Sequence, residues 1–283
     1  MSITSASMLV ELNISVWTAN KIDRNATQKV ADDNHATSNA AQVRKNLLAG
    51  TTLRKELADF AASCRLWHNM KTLPWSDRGP RLLPTSLFFD YKKQMTEREG
   101  FFTERRDAFL TAYPDLVRDA PINLGTLYDP NDYPSVEEVA SKFAFRMVFS
   151  PVPEGGDFRV DLPAQDIQEM REQYDAAFND RLAEAMREPW DRLHKMLTAM
   201  TDKLNQPDDP DAKKRWHDTF VTNAQDMTEM LKHLNVTKDP ELERARRALS
   251  DAIYGIDIED VKGSPGVRED MSRKLTAILD SSW

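Results

Sequence analysis

Phe143-Ala-Phe-Arg-Met-Val-Phe-Ser150, Pro151-Val-Pro-Glu-Gly-Gly-Asp157, Phe158-Arg-Val-Asp-Leu162 and the forty residues that follow decide the fold. The first segment alternates large apolar side chains with others, as a strand does. Glu154-Gly-Gly-Asp157 reads as a hairpin turn, and Phe158–Leu162 as a second strand that Pro163 stops. Ile167, Met170, Tyr174, Phe178, Leu182, Met186 and Leu193 then recur at helical intervals. A hairpin therefore feeds one long amphipathic helix. Pro189 falls inside that helix, where a proline kinks or restarts it.

Working outward, Leu9-Val-Glu-Leu-Asn-Ile-Ser-Val-Trp17 has strand character and can join the hairpin in a small sheet. Residues 18–31 read as a helix, and helix follows again from about Ala40, with an interruption at Gly50. Leu53, Leu57, Phe60, Cys64 and Trp67 step by fours and threes, a helix-packing seam of coiled-coil type that Thr51 can cap. Leu73–Pro84 carries three prolines and a glycine and reads as a rigid loop. Leu87, Tyr91, Met95, Phe102 and Phe109 line the next helix, predicted to end near Tyr113. Ser135-Val-Glu-Glu138 matches a capping box, and Asp239-Pro240 supplies a cap followed by proline at the first helical position. The expected fold is mainly α: long helical hairpins or a bundle with one small antiparallel sheet. The expected division is a helical region with the sheet at 1–162 and a helical region at 163–283, which can also form one continuous domain.

Composition narrows the function. The chain has 283 residues, 40% hydrophobic and 30% charged, with a net charge of −8. It can bury a core, and its acidity argues against broad electrostatic binding to duplex DNA. Cys64 is the single cysteine, so no internal disulfide forms and a reducing, cytoplasmic setting is expected. No signal-peptide pattern or membrane-length apolar run is visible, so no membrane partner is expected. Phosphate-binding glycine loops and a hydrolase nucleophile elbow are both missing from the sequence. Asp191 with His194, and Glu229 with His233, share helix faces, but neither pair has the spacing of a carboxylate–histidine metal motif. Neighbouring-turn contacts explain them better, so no metal, cofactor or catalytic residue is expected.

One segment mixes aromatics with positive charge: Trp67-His-Asn-Met-Lys-Thr-Leu-Pro-Trp-Ser-Asp-Arg-Gly-Pro-Arg81. Single strands bind by stacking bases on aromatics in a basic groove. His68, Lys71, Trp75, Arg78 and Arg81 are therefore candidate contacts for nucleic acid or a partner. The competing reading makes Trp75 a plug that ties the loop to the core, with the arginines paired to nearby acids.

Ser7-Met-Leu-Val-Glu-Leu-Asn-Ile-Ser-Val-Trp-Thr18, Leu73-Pro-Trp-Ser-Asp77, Phe149-Ser-Pro-Val-Pro-Glu-Gly-Gly-Asp-Phe-Arg-Val160 and Ala185-Met-Arg-Glu-Pro-Trp-Asp-Arg-Leu193 together resemble a bacteriophage and prophage protein family of unknown function. The resemblance spans most of the chain and carries no catalytic residues. Genes of that family lie near those for MoxR-type AAA+ ATPases and von Willebrand-type domains. The resemblance thus implies a non-enzymatic phage interaction or scaffold protein, in the host cytoplasm, whose partner is itself or an AAA+ ATPase system. The alternative is a single-stranded nucleic-acid-binding protein of phage DNA metabolism.

Overall fold

The computed structural model describes residues 3–77, 79–153, 163–206 and 216–281. The chain opens with α1 (Ile3–Ala6), β1 (Ser7–Ser15), β2 (Asn20–Ile22), α2 (Arg24–Asp33) and β3 (Arg44–Asn46). Next come α3 (Leu53–Lys71), β4 (Arg81–Pro84), α4 (Phe88–Leu124), α5 (Val136–Ala140) and β5 (Ala144–Pro151). Five helices close the chain: α6 (Ala164–Asn205), α7 (Thr219–Leu234), α8 (Pro240–Ile253), α9 (Ile258–Gly263) and α10 (Pro265–Ser281). The fold is mainly α with a minor antiparallel β part, as the apolar periodicities predict.

The expected sheet forms around β1, in the order β4-β1-β5. Its Ser7 pairs with Pro84 and its Val10 with Arg81. β5 occupies the predicted place, while the expected partner strand at Phe158–Leu162 lies outside the described residues. β4 falls in the segment read as a rigid loop. Its Leu82 exchanges both backbone hydrogen bonds with Leu73, each at 2.8 Å, so Pro80 precedes and Pro84 ends a paired strand instead of preventing one.

Residues divide into two compact units that interleave along the chain, unlike the sequential division expected at 162. One unit takes Met1–Glu11, Asn69–Tyr91 and Val148–Trp283; the other takes Leu12–His68 and Lys92–Met147.

The first unit buries Leu193, Leu197 and Met200 of α6 against α7, α8 and α10. The predicted seam of α6 is therefore real over its second half, and the helix passes Pro189 without a break. Asp239 caps α8 by accepting from the Glu241 amide at 2.9 Å, with Pro240 at the first turn. A second apolar cluster joins Leu9, Leu73, Trp75 and Leu82 to Ala185 and Leu234.

The second unit packs Leu57, Ala61 and Cys64 of α3 against Phe102, Phe109 and Tyr113 of α4. Leu57 and Cys64 are fully buried as expected, but Trp67 is only half-buried. The Leu53 amide donates to Thr51 Oγ1 at 3.3 Å, and the Ser135–Glu138 capping box is complete. Two expectations change. Residues 40–50 are not helical: Arg44–Asn46 pairs with Asn20–Ile22 as a small hairpin, which also shortens the first predicted helix. α4 continues through Pro114 and Pro121 to Leu124, because Leu116, Val117 and Ala120 keep packing beyond the first proline. Gly50 takes φ +90°, and a Cβ there would lie 2.8 Å from the Asn123 side chain, so the turn before α3 needs glycine.

The small hairpin is anchored by charge. Lys21 and Lys45 each reach Asp132 at 2.5 Å, and Lys45 Nζ also donates to the Leu127 carbonyl at 2.7 Å. Burial disfavours the charged form of Asp132, but its two lysine partners outweigh that and hold its carboxyl below the usual range.

Candidate functional site

The Trp75 segment is structural over most of its length. Trp75 is 5% exposed and sets its ring edge-to-face with Phe178 at 5.3 Å. That corrects its reading as a solvent-facing stacking platform: bases cannot stack on a ring inside the core. His68 is 6% exposed, on the core side of α3, and Lys71 is half-buried at the helix end. Arg81 is half-buried, donating from Nε to Thr72 Oγ1 at 2.7 Å and from Nη2 to the Thr72 carbonyl at 3.2 Å. Burial and neighbouring Arg192 lower its pKa. Arg78 lies outside the described residues.

Arg192 completes this arrangement. It donates to the carbonyls of Met70 at 2.9 Å, Asn69 at 2.8 Å and Thr72 at 3.0 Å, while Glu188 holds its Nε at 3.0 Å. These are the carbonyls that the end of α3 leaves without helical partners, at the negative pole of the helix. The positive charge near Trp75 thus terminates a helix.

The acids of both acid–histidine pairs make neighbouring-turn contacts, but only Glu229 makes one with its histidine. Asp191 meets Arg187 at 3.4 Å. Glu229 meets Lys232 at 3.3 Å and His233 at 3.6 Å, and His233 Nδ1 lies 3.0 Å from Ser86 Oγ. Among the described residues no three His, Cys, Asp or Glu side chains converge as metal ligands. A cleft of about 320 Å³ opens between α6, α8 and α10, lined by Trp190, Ala245, Ala248 and Ile278 with the Glu241–Arg244 ion pair.

The second unit presents a different surface, which the sequence reading did not single out. Phe60 and Trp67 stand two turns apart on α3. The Arg105 guanidinium lies 4.4 Å from the Phe60 ring centroid and 5.9 Å from that of Phe101. Arg98 covers Trp67 at 4.9 Å. The rungs pair 60 with 105 and 67 with 98, so α3 and α4 run antiparallel here. The Arg105 Nη1 donates to the Phe101 carbonyl at 3.0 Å, which holds the guanidinium between the two rings. Phe101 is 50% exposed and Leu66 64%. Gly100 beside them leaves open space. Arginine and tryptophan are among the residue types that dominate binding energy at protein interfaces, and phenylalanine is enriched there. The signal was present as two seven-residue spacings, Phe60 to Trp67 and Arg98 to Arg105, but it becomes a surface only when the two helices meet.

No family profile, curated protein or solved structure matches the chain.

Proposed function

We propose that this chain is a non-enzymatic interaction protein of phage type that works by protein–protein contact, with an AAA+ ATPase system among its partners. The observation that carries this reading is the arginine–aromatic face of α3 and α4, where Phe101 and Arg105 are held in place yet reachable from solvent. The ATPase comes from the family resemblance. Cys64, single and fully buried, suits a reducing host cytoplasm. Among the described residues no helix is long and apolar enough to cross a membrane, in keeping with partners off the membrane. Single-stranded nucleic acid is the weaker reading, since Trp75, its proposed stacking ring, is a core residue.

The test captures a purified MoxR-type ATPase, with and without its von Willebrand-type companion, on the immobilised chain. Phe101→Ala with Arg105→Ala should weaken capture by about fivefold or more, as for a hot-spot pair. Unchanged capture by a variant with an unchanged melting curve would sink the assignment of the face. A gel shift of single-stranded DNA that fades with salt would favour the nucleic-acid reading instead.

A further inference from the structure

We propose that Ser86 is a site of covalent modification: it takes an apolar acyl group from an activated ester or thioester, with His233 as the base that accepts its proton. The inference goes beyond the interaction reading and does not depend on it. Ser86 lies in the short turn that runs into α4, and Glu229 and His233 stand one turn apart on α7. The fold brings the three together, with Ser86 Oγ 3.0 Å from His233 Nδ1. On the other side of the ring, Glu229 Oε1 lies 3.6 Å from Nε2.

Charge sets the direction of the hydrogen bond. A carboxylate beside Nε2 favours the tautomer that carries its hydrogen there, which leaves the Nδ1 lone pair facing the serine. Ser86 therefore donates to the imidazole. A serine hydroxyl is a weak nucleophile until a neighbouring base takes its proton, and a base oriented by a third group is the arrangement that activates it. The Glu229 contact is longer than a hydrogen bond; such contacts are commonly long before the reacting group arrives and tighten when it does. Packing does not need the cluster, because buried Leu231 and Leu234 hold α7 while Ser86 and Glu229 stay in solvent. The neighbouring side chain selects the acyl group. Phe89 follows Ser86 by three residues on a continuous helical path, so the two share a face, and Phe89 is 83% exposed. Phe88 meets Phe89 at 5.3 Å and Phe149 at 5.2 Å, which extends the aromatic surface. An apolar acyl chain can lie on Phe89 while its carbonyl carbon meets Ser86 Oγ. In the reaction Oγ bonds to that carbon, the carbon's bond to the leaving oxygen or sulfur breaks, and the serine proton passes through His233 to the departing alkoxide or thiolate. The products are a Ser86 ester and a free alcohol or thiol, with no change in oxidation state.

The full chain is incubated with p-nitrophenyl hexanoate and mapped by peptide mass spectrometry. One hexanoyl group is expected on Ser86, and hydroxylamine should remove it as it removes esters. Ser63 is the internal control, since it is exposed but donates to the Phe60 carbonyl at 2.7 Å. Ser86 should react about a hundredfold faster than Ser63, the low end of what a positioned base contributes. His233→Ala should remove most of that advantage. Glu229→Ala should reduce it, and Glu229→Gln should restore it, because the amide oxygen can still face the Nε2 hydrogen. Both Glu229 variants should keep the wild-type melting curve, so they decide the matter even if His233→Ala melts early. Phe89→Ala should slow transfer of hexanoyl but not of acetyl. A Ser86 no faster than Ser63 overturns the inference. So does hexanoyl found only as hydroxylamine-resistant amide on lysines such as Lys232, or Ser86 labelling indifferent to both His233→Ala and Glu229→Ala.

Discussion

Trp75 shows what a single residue decides. As a side chain in a basic loop it had two readings, and its burial against Phe178, Leu73 and Leu82 selects the plug. Trp75→Ala should cost about 3–5 kcal/mol, the usual loss for a large buried aromatic, read from the denaturant midpoint. An unchanged midpoint would return the ring to solvent and revive the stacking reading. Asp132 gives a prediction with a sign. Its carboxyl is buried, yet Lys21 and Lys45 hold its folded pKa below the unfolded value. A depressed carboxylate stabilises the fold above its unfolded pKa, about 3.9, and loses that contribution as pH falls through the folded value. Asp132→Asn should therefore destabilise by about 1–3 kcal/mol at neutral pH, because buried Lys45 loses its nearer carboxylate and keeps only Asp23 and the Leu127 carbonyl. The gap from wild type should narrow in urea melts taken near pH 3 and below. A gap independent of pH would mean the ion pairs contribute nothing specific. Lys45 has the opposite sense: burial lowers its pKa, Asp132 and Asp23 raise it by more, and its share disappears only at strongly alkaline pH.

At the scale of elements, the legible parts were those whose signal is local. The capping box at Ser135 depends on residues three apart, and Ser135→Ala should cost about 0.5–2 kcal/mol in thermal melts. No loss at all would show that α5 is held by Val139 packing alone. The α4 face could be read from one stretch of sequence because Tyr91, Met95, Phe102 and Phe109 recur at helical intervals, and all four are buried. The β2–β3 hairpin could not. Its strands are three residues each, mostly polar, and separated by residues 23–43, and what fixes them is Asp132, far along the chain. β4 escaped for a related reason: proline and glycine on either side gave a loop signal, while its partner β1 lies more than seventy residues earlier. The arginine–aromatic face belongs to the same class, since neither α3 nor α4 carries it alone.

At the scale of the whole molecule, two cores share one chain, and charge is divided unevenly between them. The unit of Leu12–His68 and Lys92–Met147 has 16 Lys and Arg against 15 Asp and Glu; the other has 22 against 31. The whole net negative charge therefore sits in one unit, at −9 against +1 for the other, and there self-repulsion works against compactness. Salt screens such repulsion over about 10 Å at 0.1 M. Added salt should therefore slow hydrogen exchange in α7 and α8 of the acidic unit more than in the Leu53–His68 stretch of the balanced one. Core substitutions supply the matching control. Leu57→Ala should cost about 2–5 kcal/mol and speed exchange first among the amides around Phe102 and Phe109, which pack against it in the same core. Leu249→Ala should do so first in α7 and α10, which share its cluster. If either substitution instead accelerates both sets equally, the two cores open as one cooperative unit. Helices α3 and α4, which pass from one unit into the other without a break, would then be the elements that couple them.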